Sequence, residues 1–308
     1  MARYHIGTAG WSYEDWDGIV YPVPKPRGFH ALPFLAGYID IVEVNSTFYR
    51  PASVALVRSW LRRIEAHPGF LLSLKLHQAF THAREGFTGK DVDDFKAALD
   101  ILRLGGRLAA LLVQFPWSYR NSPENVDYLA RLLEHFAGYP LAVEVRHASW
   151  DEPGFYALLE GHRAAFCNID QPLFNDSIGP SSVATNPEFA YVRFHGRNRA
   201  NWFREDAGRD DRYDYLYARD ELEDWIARIK DLGGKSGKVY VITNNHYRGQ
   251  AMANALQIRN MITGKKVDVP RLLLEKYPVL GDIVRAIKAG QLDLFARDGE
   301  DNGGGGTR

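Results

Sequence analysis

Eight short β-branched or apolar runs, each followed by a longer stretch of helical period, limit the fold of this chain more tightly than any single motif. Strands are expected over 5–9, 39–45, 70–77, 108–115, 141–147, 164–170, 190–195 and 238–245. The clearest helices fall over 52–67, 91–104, 123–136, 219–232 and 250–262, several opened by a capping residue or a proline. Strands and helices alternating in this way are βα units around a parallel sheet, and about eight of them close a barrel. A barrel of about 250 residues plus a tail fits the length without strain. No internal sequence repeat is visible. The barrel is expected over 1–263. Beyond Gly264 the pattern changes to a C-terminal helical extension over 264–295, with its helical stretch at 280–289, and then to a glycine-rich, charged tail over 296–308 expected to be disordered.

Lysine plus arginine and aspartate plus glutamate number 38 each, so no net field draws the molecule onto nucleic acid or an anionic membrane. Any such partner has to meet a local patch. The single cysteine, Cys167, has no internal disulfide partner, and with parity beside Ile169 it reads as an outward-facing, inert core residue. The first residues lack the basic-then-apolar order of a secretory signal, and no apolar run approaches the roughly 20 residues of a membrane span. A cytoplasmic protein without a membrane partner is expected.

Side chains alternate across a strand, so Val42 and Val44 facing the helices turn Glu43 and Asn45 into the barrel. The same parity sends Ser73, Lys75 and His77 inward, then Glu144 and Arg146, then Arg193 and His195, with Gln114, Asn168, Asp170 and Asn244 joining them. Structural barrel interiors are filled with valine, isoleucine and leucine. This many polar groups near strand ends therefore points to a site. The competing explanation is a salt-bridge network of Lys75 and Arg146 against Glu43 and Glu144 with no chemistry.

Aromatic residues follow the same strands, with Trp11, Tyr49, Trp150 and Trp202 the foremost candidates to rim the mouth. Flat rings beside polar groups suit sugar faces or unstacked bases, although for any one ring covering the barrel end and packing loops together is the better explanation. The loop after His195 interleaves Arg197, Arg199 and Arg204 with Trp202 and Phe203, a combination suited to phosphate plus a stacked ring, or simply a solvated loop. No strand is followed by a Walker loop or a dinucleotide-binding glycine motif, so no nucleotide cofactor is expected.

Five stretches taken in order carry a family resemblance: Gly7-Thr8-Ala9-Gly10-Trp11-Ser12-Tyr13, Val42-Glu43-Val44-Asn45-Ser46-Thr47-Phe48-Tyr49-Arg50, Gln114-Phe115-Pro116, Val143-Glu144-Val145-Arg146-His147-Ala148-Ser149-Trp150 and Arg193-Phe194-His195-Gly196. Together they resemble the YecE-like family, a domain of unknown function numbered 72, over about Tyr4 to Ile262. The resemblance implies a (β/α)8 TIM-type barrel and assigns no catalytic role.

Three chemistries compete for the mouth. His77, Glu144, His147, Asp170, His195 and His246 sit at or just past strand ends, where nitrogen and oxygen donors would suit a divalent zinc, manganese or iron ion. Glu144 and His147 are similar to the Asp-x-x-His ligand pair of endonuclease-IV-like barrels. The Asp-x-His pair those enzymes carry late in the barrel is replaced here by Arg193-Phe194-His195. Metal-free acid and base work by Glu43 and Glu144 is the second option. Schiff-base chemistry at Lys75 ranks last, because it needs a lowered pKa and two neighbouring glutamates would raise it.

Gln291-Leu292-Asp293-Leu294-Phe295 resembles, at all five positions, the pentapeptide by which bacterial replication and repair proteins bind the DNA sliding clamp. Its leucine and phenylalanine would anchor in an apolar cleft while glutamine fixes orientation, or the same residues would dock on the barrel as its last element. Three functions follow. The first is a hydrolase-like enzyme working near DNA, and the second a metabolic enzyme acting on a carbohydrate or phosphorylated small molecule, which the neutral net charge favours slightly. The third is a non-catalytic barrel that captures a ligand.

Overall fold

The computed structural model describes residues 2–204 and 209–285. Its eight strands are β1 Arg3–Ala9, β2 Ile41–Val44, β3 Leu71–Lys75, β4 Leu108–Gln114, β5 Leu141–Glu144, β6 Ala165–Asp170, β7 Ala190–Phe194 and β8 Lys238–Thr243. Each pairs in parallel with the next, and β8 pairs with β1 to close a barrel in sequence order. This is the (β/α)8 arrangement expected. Several strands end one to three residues earlier than the apolar runs, so Asn45, Arg146, His195 and Asn244 lie just past the ladder, where the chain turns over the carboxyl mouth.

The helices are α1 Ala31–Ala36, α2 Ser46–Tyr49, α3 Val54–Arg63, α4 Gly89–Leu104, α5 Pro123–His135, α6 Pro153–Gly161, α7 Arg209–Arg212, α8 Arg219–Lys235, α9 Gln250–Thr263 and α10 Arg271–Lys276. Local chemistry sets their ends. Thr88 and Asp91 form a reciprocal capping box at α4, and the Ser122 side chain accepts from Asn125 N ahead of Pro123 at α5. Such caps contribute about 1 kcal/mol each. Ser53 caps α3, which is shorter than the apolar period of 52–67. No helix among the described residues is long and apolar enough to cross a membrane.

Residues that pair in a parallel ladder point to the same side. Glu43 pairs with Ser73, Gln114 with Glu144, Cys167 with Tyr191, Ile169 with Arg193 and Tyr191 with Tyr240, which places all of them inside the barrel. One expectation is thereby corrected. On β6 it is Cys167 and Ile169 that face inward, while Asn168 and Asp170 face the helices. The strand reads Ala-Phe-Cys-Asn-Ile-Asp, with apolar residues on both parities, and Phe166 decides the matter by packing against Phe155 and Tyr156 of α6. The β1–β2 approach requires glycine, since a Cβ on Gly7 would fall 1.7 Å from the Ile41 carbonyl oxygen.

After α9 the chain packs back through buried Leu273, Leu280 and Ile283. The helix expected over 280–289 is replaced, as far as residue 285, by a 3₁₀ turn, Pro278–Asp282, and a parallel bridge between Val267 and Val284. Val267 N donates to the Ile283 carbonyl at 2.9 Å, and Arg285 N to the Val267 carbonyl at 2.8 Å, so these backbone groups serve the bridge and not a helix. The pentapeptide Gln291 to Phe295 and the tail over 296–308 lie outside the described residues.

Candidate active site

Arg193, on β7, organises the barrel interior. Its Nη2 donates to Glu43 Oε1 at 2.6 Å and its Nη1 to Glu144 Oε2 at 2.5 Å, and the three side chains are at most 2 % exposed. Tyr191, two residues earlier on the same face, donates its hydroxyl to Glu43 Oε2 at 2.9 Å, and Ser73 Oγ lies 2.7 Å from that phenol. Arg146 Nε reaches Glu144 Oε1 at 3.0 Å from the rim side. Both carboxylates are thus fully partnered, which is the condition for holding charge in a barrel interior. Burial pushes the Glu144 carboxyl up, but Arg193 and Arg146 outweigh it and leave it well below the usual carboxylate range.

His195 sits above this pair, with Nε2 3.2 Å from Glu144 Oε1 and Nδ1 3.0 Å from Asn244 Nδ2. The Asn244 amide donates to Nδ1, which leaves the proton on Nε2 facing Glu144. Burial lowers the imidazole to about 3 against the opposing pull of Glu144, so His195 is neutral at physiological pH. Its two ring nitrogens are already engaged. A backbone turn follows at once: Gly196 has φ 86°, and a Cβ there would lie 2.8 Å from Tyr215 Cβ.

Above the network opens a cavity of about 80 Å³. Lys75, Arg146 and Arg193 supply its cations, Asn45 and Asn244 its amides, and Tyr49, Tyr213 and His246 its rings. Trp202 is 6 % exposed, with the Arg146 guanidinium 5.6 Å from its ring centre and the His195 ring 6.3 Å away. The wall facing solvent is cationic, because Glu43 and Glu144 lie beneath it at 0 % exposure.

Lys75 overturns one expectation. Burial and the Arg193 guanidinium pull its ammonium down to about 7, and the opposing pull of Glu144 and Glu43 does not restore it. The glutamates that were expected to raise it are engaged by Arg193. Lys75 Nζ rests 4.1 Å from the Phe48 ring centre and makes no hydrogen bond or ion pair among the described residues. Thr47 Oγ1 donates to the Val44 and Lys75 carbonyls at 2.9 and 2.7 Å, tying α2 to the end of β3 and so setting Phe48 against the amine.

Other predicted site residues lie elsewhere. Asp170 faces the helical layer, where it accepts from Tyr217 Oη at 2.7 Å, Trp225 Nε1 at 2.5 Å and Arg197 Nη2 at 2.7 Å. Arg197 also pairs with Glu221 at 3.0 Å and is spent on structure, not on the mouth. Trp150 is fully buried, donates Nε1 to the Tyr119 carbonyl at 2.7 Å and stacks on Tyr119, so it is core and not rim. Trp11 packs edge-on against Trp60 in a second cleft with Tyr13, Tyr21 and Phe29. Gln114 is buried and turns its amide to the Phe115 carbonyl at 2.5 Å. Arg199 is exposed, over the Phe174 ring.

The six metal-ligand candidates do not converge. His77 is held by Tyr49 O and Ala79 N, and His147 turns to Ser149 and Asp176. His246 stacks on Tyr13 at 4.4 Å, and Asp170 is on the other side of the sheet. Only Glu144 and His195 meet. Among the described residues no three His, Cys, Asp or Glu side chains are placed to share an ion. Tyr191 and Tyr213 were missed. Parity with Arg193 marks Tyr191 as inward, whereas Tyr213 comes from a loop that carries no periodic signal.

A closed parallel barrel with a polar, cationic carboxyl mouth has the architecture of the (β/α)8 enzymes. The chain belongs to the family of proteins of unknown function DUF72, whose model matches residues 5–276. It is 31 % identical over 273 residues to the UPF0759 protein YunF of Bacillus subtilis, covering 84 % of this chain and 94 % of that one. A DUF72 structure from Thermotoga maritima is 33 % identical with a TM-score of 0.72, over 84 % of this chain and 99 % of the other. One from Enterococcus faecalis, 24 % identical with a TM-score of 0.74 over 87 % of this chain and 98 % of its own, shares the fold.

Proposed function

We propose that the mouth binds a small anionic metabolite and that this chain is an enzyme acting on a phosphorylated or carboxylated small molecule, carbohydrate derivatives included. The observation that carries this reading is the sidedness of charge, with Lys75 and Arg146 opening onto the cavity while both glutamates are buried and neutralised beneath. Acid and base work by Glu43 and Glu144 is not favoured, because neither carboxylate reaches solvent. Calorimetric titration with inorganic phosphate and small dicarboxylates tests the reading. Saturable binding weakened about tenfold or more by Arg146→Gln is expected. Absence of binding by any small anion contradicts it.

A second reading rests on the pentapeptide Gln291 to Phe295. We propose that it recruits the chain to a bacterial DNA sliding clamp, where the same cations would hold a nucleic-acid phosphate for hydrolysis. Binding to purified clamp that is abolished when Gln291, Leu294 and Phe295 become alanine is the expected result. Clamp binding equal in both proteins, or in neither, removes recruitment. The single buried cysteine, Cys167, fits a cytoplasmic setting for either reading.

A further inference from the structure

We propose that Lys75 forms a covalent imine with a carbonyl carbon of the ligand, which makes the ligand an aldehyde or ketone that also carries a phosphate or carboxylate. This rests on the anionic-ligand reading above and deepens it. The argument begins with how each group lining the cavity is occupied. Arg193 is locked between Glu43 and Glu144, and Arg146 is held by Glu144, so the guanidiniums are positioned to accept an anion but not to react. His195 has both nitrogens engaged. Asn45, Asn244, the His246 imidazole and the phenols Tyr49 and Tyr213 are not primary amines and form no imine.

Lys75 alone among these joins reactivity to freedom. Its Nζ lies on the Phe48 ring face with no hydrogen bond or ion pair among the described residues. A lysine meant only to balance charge would be expected on one of the two nearby carboxylates, and both are taken. Burial, with the Arg193 guanidinium beside it, keeps a useful fraction of the amine unprotonated near neutral pH. A second observation points to a ligand at the same place. Asn45 Oδ1 and Arg193 Nε, both on residues lining the cavity, are buried without a hydrogen-bond partner among the described residues. One is an acceptor and the other a donor, which a hydroxyl and an anionic oxygen of one ligand would satisfy.

The step balances without an oxidant. The neutral amine attacks the carbonyl carbon, forming the C–N bond while the C=O π pair moves to oxygen. That oxygen takes the proton lost by nitrogen, giving a carbinolamine. A second proton from solvent lets the hydroxyl depart as water, and the nitrogen lone pair closes the C=N bond. The resulting iminium keeps its positive charge beside Phe48, where the ring face favours a cation. It also draws electrons from the neighbouring C–C and C–H bonds, so the reactions open to the site are those that cleave, form or deprotonate next to a carbonyl.

The test is reductive trapping on the full chain. The protein is incubated with pyruvate, glyoxylate or pyridoxal 5′-phosphate, reduced with borohydride and mapped by mass spectrometry. The expected result is an adduct heavier than the unmodified lysine by the mass of the probe less one oxygen atom, since imine formation loses water and reduction restores two hydrogens, at Lys75 in preference to every surface lysine by about tenfold or more. Excess inorganic phosphate should suppress it, and Lys75→Arg, with its melting temperature checked, should lose it. Labelling spread evenly over surface lysines, or no Lys75 adduct in a protein that binds phosphate, overturns the imine and leaves the anion site standing. A Lys75 adduct that phosphate does not suppress supports the imine and removes the anion-site reading.

Discussion

Two buried clusters of this barrel use the same ingredients on opposite sides of one sheet. Inside, Arg193 is clamped by Glu43 and Glu144 and flanked by Tyr191 and His195. Outside, Asp170 gathers Arg197, Tyr217 and Trp225 and ties β6 to α8 and the β7 loop. The inner cluster underlies a cavity that Lys75 and Arg146 line, whereas the outer one closes on itself beneath packed rings. Charged residues at strand ends therefore mark a site only when their strand parity turns them to the mouth. Ile169 pairs with Arg193 and Asp170 with Phe194, so a single step along β6 separates the two situations.

The largest effect should come from breaking the inner clamp. Arg193→Met strands two buried carboxylates and is expected to destabilise by about 3–5 kcal/mol, read by urea denaturation. Adding Glu43→Gln and Glu144→Gln should recover much of that loss. If Arg193→Met is no less stable than the parent, the clamp is not what holds the interior.

Next in size is Asp170→Asn, which removes the charge facing Arg197 and weakens several charge-assisted hydrogen bonds. A loss of about 1–3 kcal/mol is expected, with phosphate affinity unchanged. An Asp170→Asn protein that keeps its stability but loses anion binding would put that carboxylate back in the site.

Lys75 sharpens the comparison from the mouth side. Its folded value of about 7 lies below the ordinary 10.5, so folding expels a proton between those values and stability rises with pH across that window. The cost is present in full below pH 7. Lys75→Met should therefore raise the melting temperature more at pH 6 than at pH 10, while weakening phosphate binding about tenfold. The groups that set this balance are Arg193, Glu144, Glu43 and Arg146, with His82 also nearby.

The smallest effect concerns His195, which stays neutral in the fold down to about pH 3 against an ordinary value of 6.5. The unfolded chain takes up its proton first, so stability falls as pH drops from 6.5 toward 3. His195→Gln should flatten that part of the pH profile, as followed by thermal melts. An unchanged slope would mean that the imidazole is protonated in the folded state.

Strand number, order and closure were legible because eight apolar runs with helical spacers permit few alternatives. Glu43, Lys75, Glu144, Arg146, Arg193 and His195 were legible because valine and leucine neighbours fix their parity. Asp170 was misplaced where Phe166, Cys167 and Ile169 make β6 apolar on both faces, and only Phe166 packing on α6 breaks the tie. Arg197 and Trp150 reveal their partners only when distant segments meet, Glu221 and Tyr119 being invisible from local sequence. The reversal at Lys75 has the same origin. Counting nearby glutamates says nothing of which cation has already taken them.

Crystals soaked in tungstate, an electron-dense stand-in for phosphate, test the central claim most directly. The cationic mouth predicts one strong anomalous peak within hydrogen-bonding distance of Lys75 and Arg146, and none beside the Arg197–Asp170 pair. A peak at Arg197 or Arg199 with an empty mouth would contradict it.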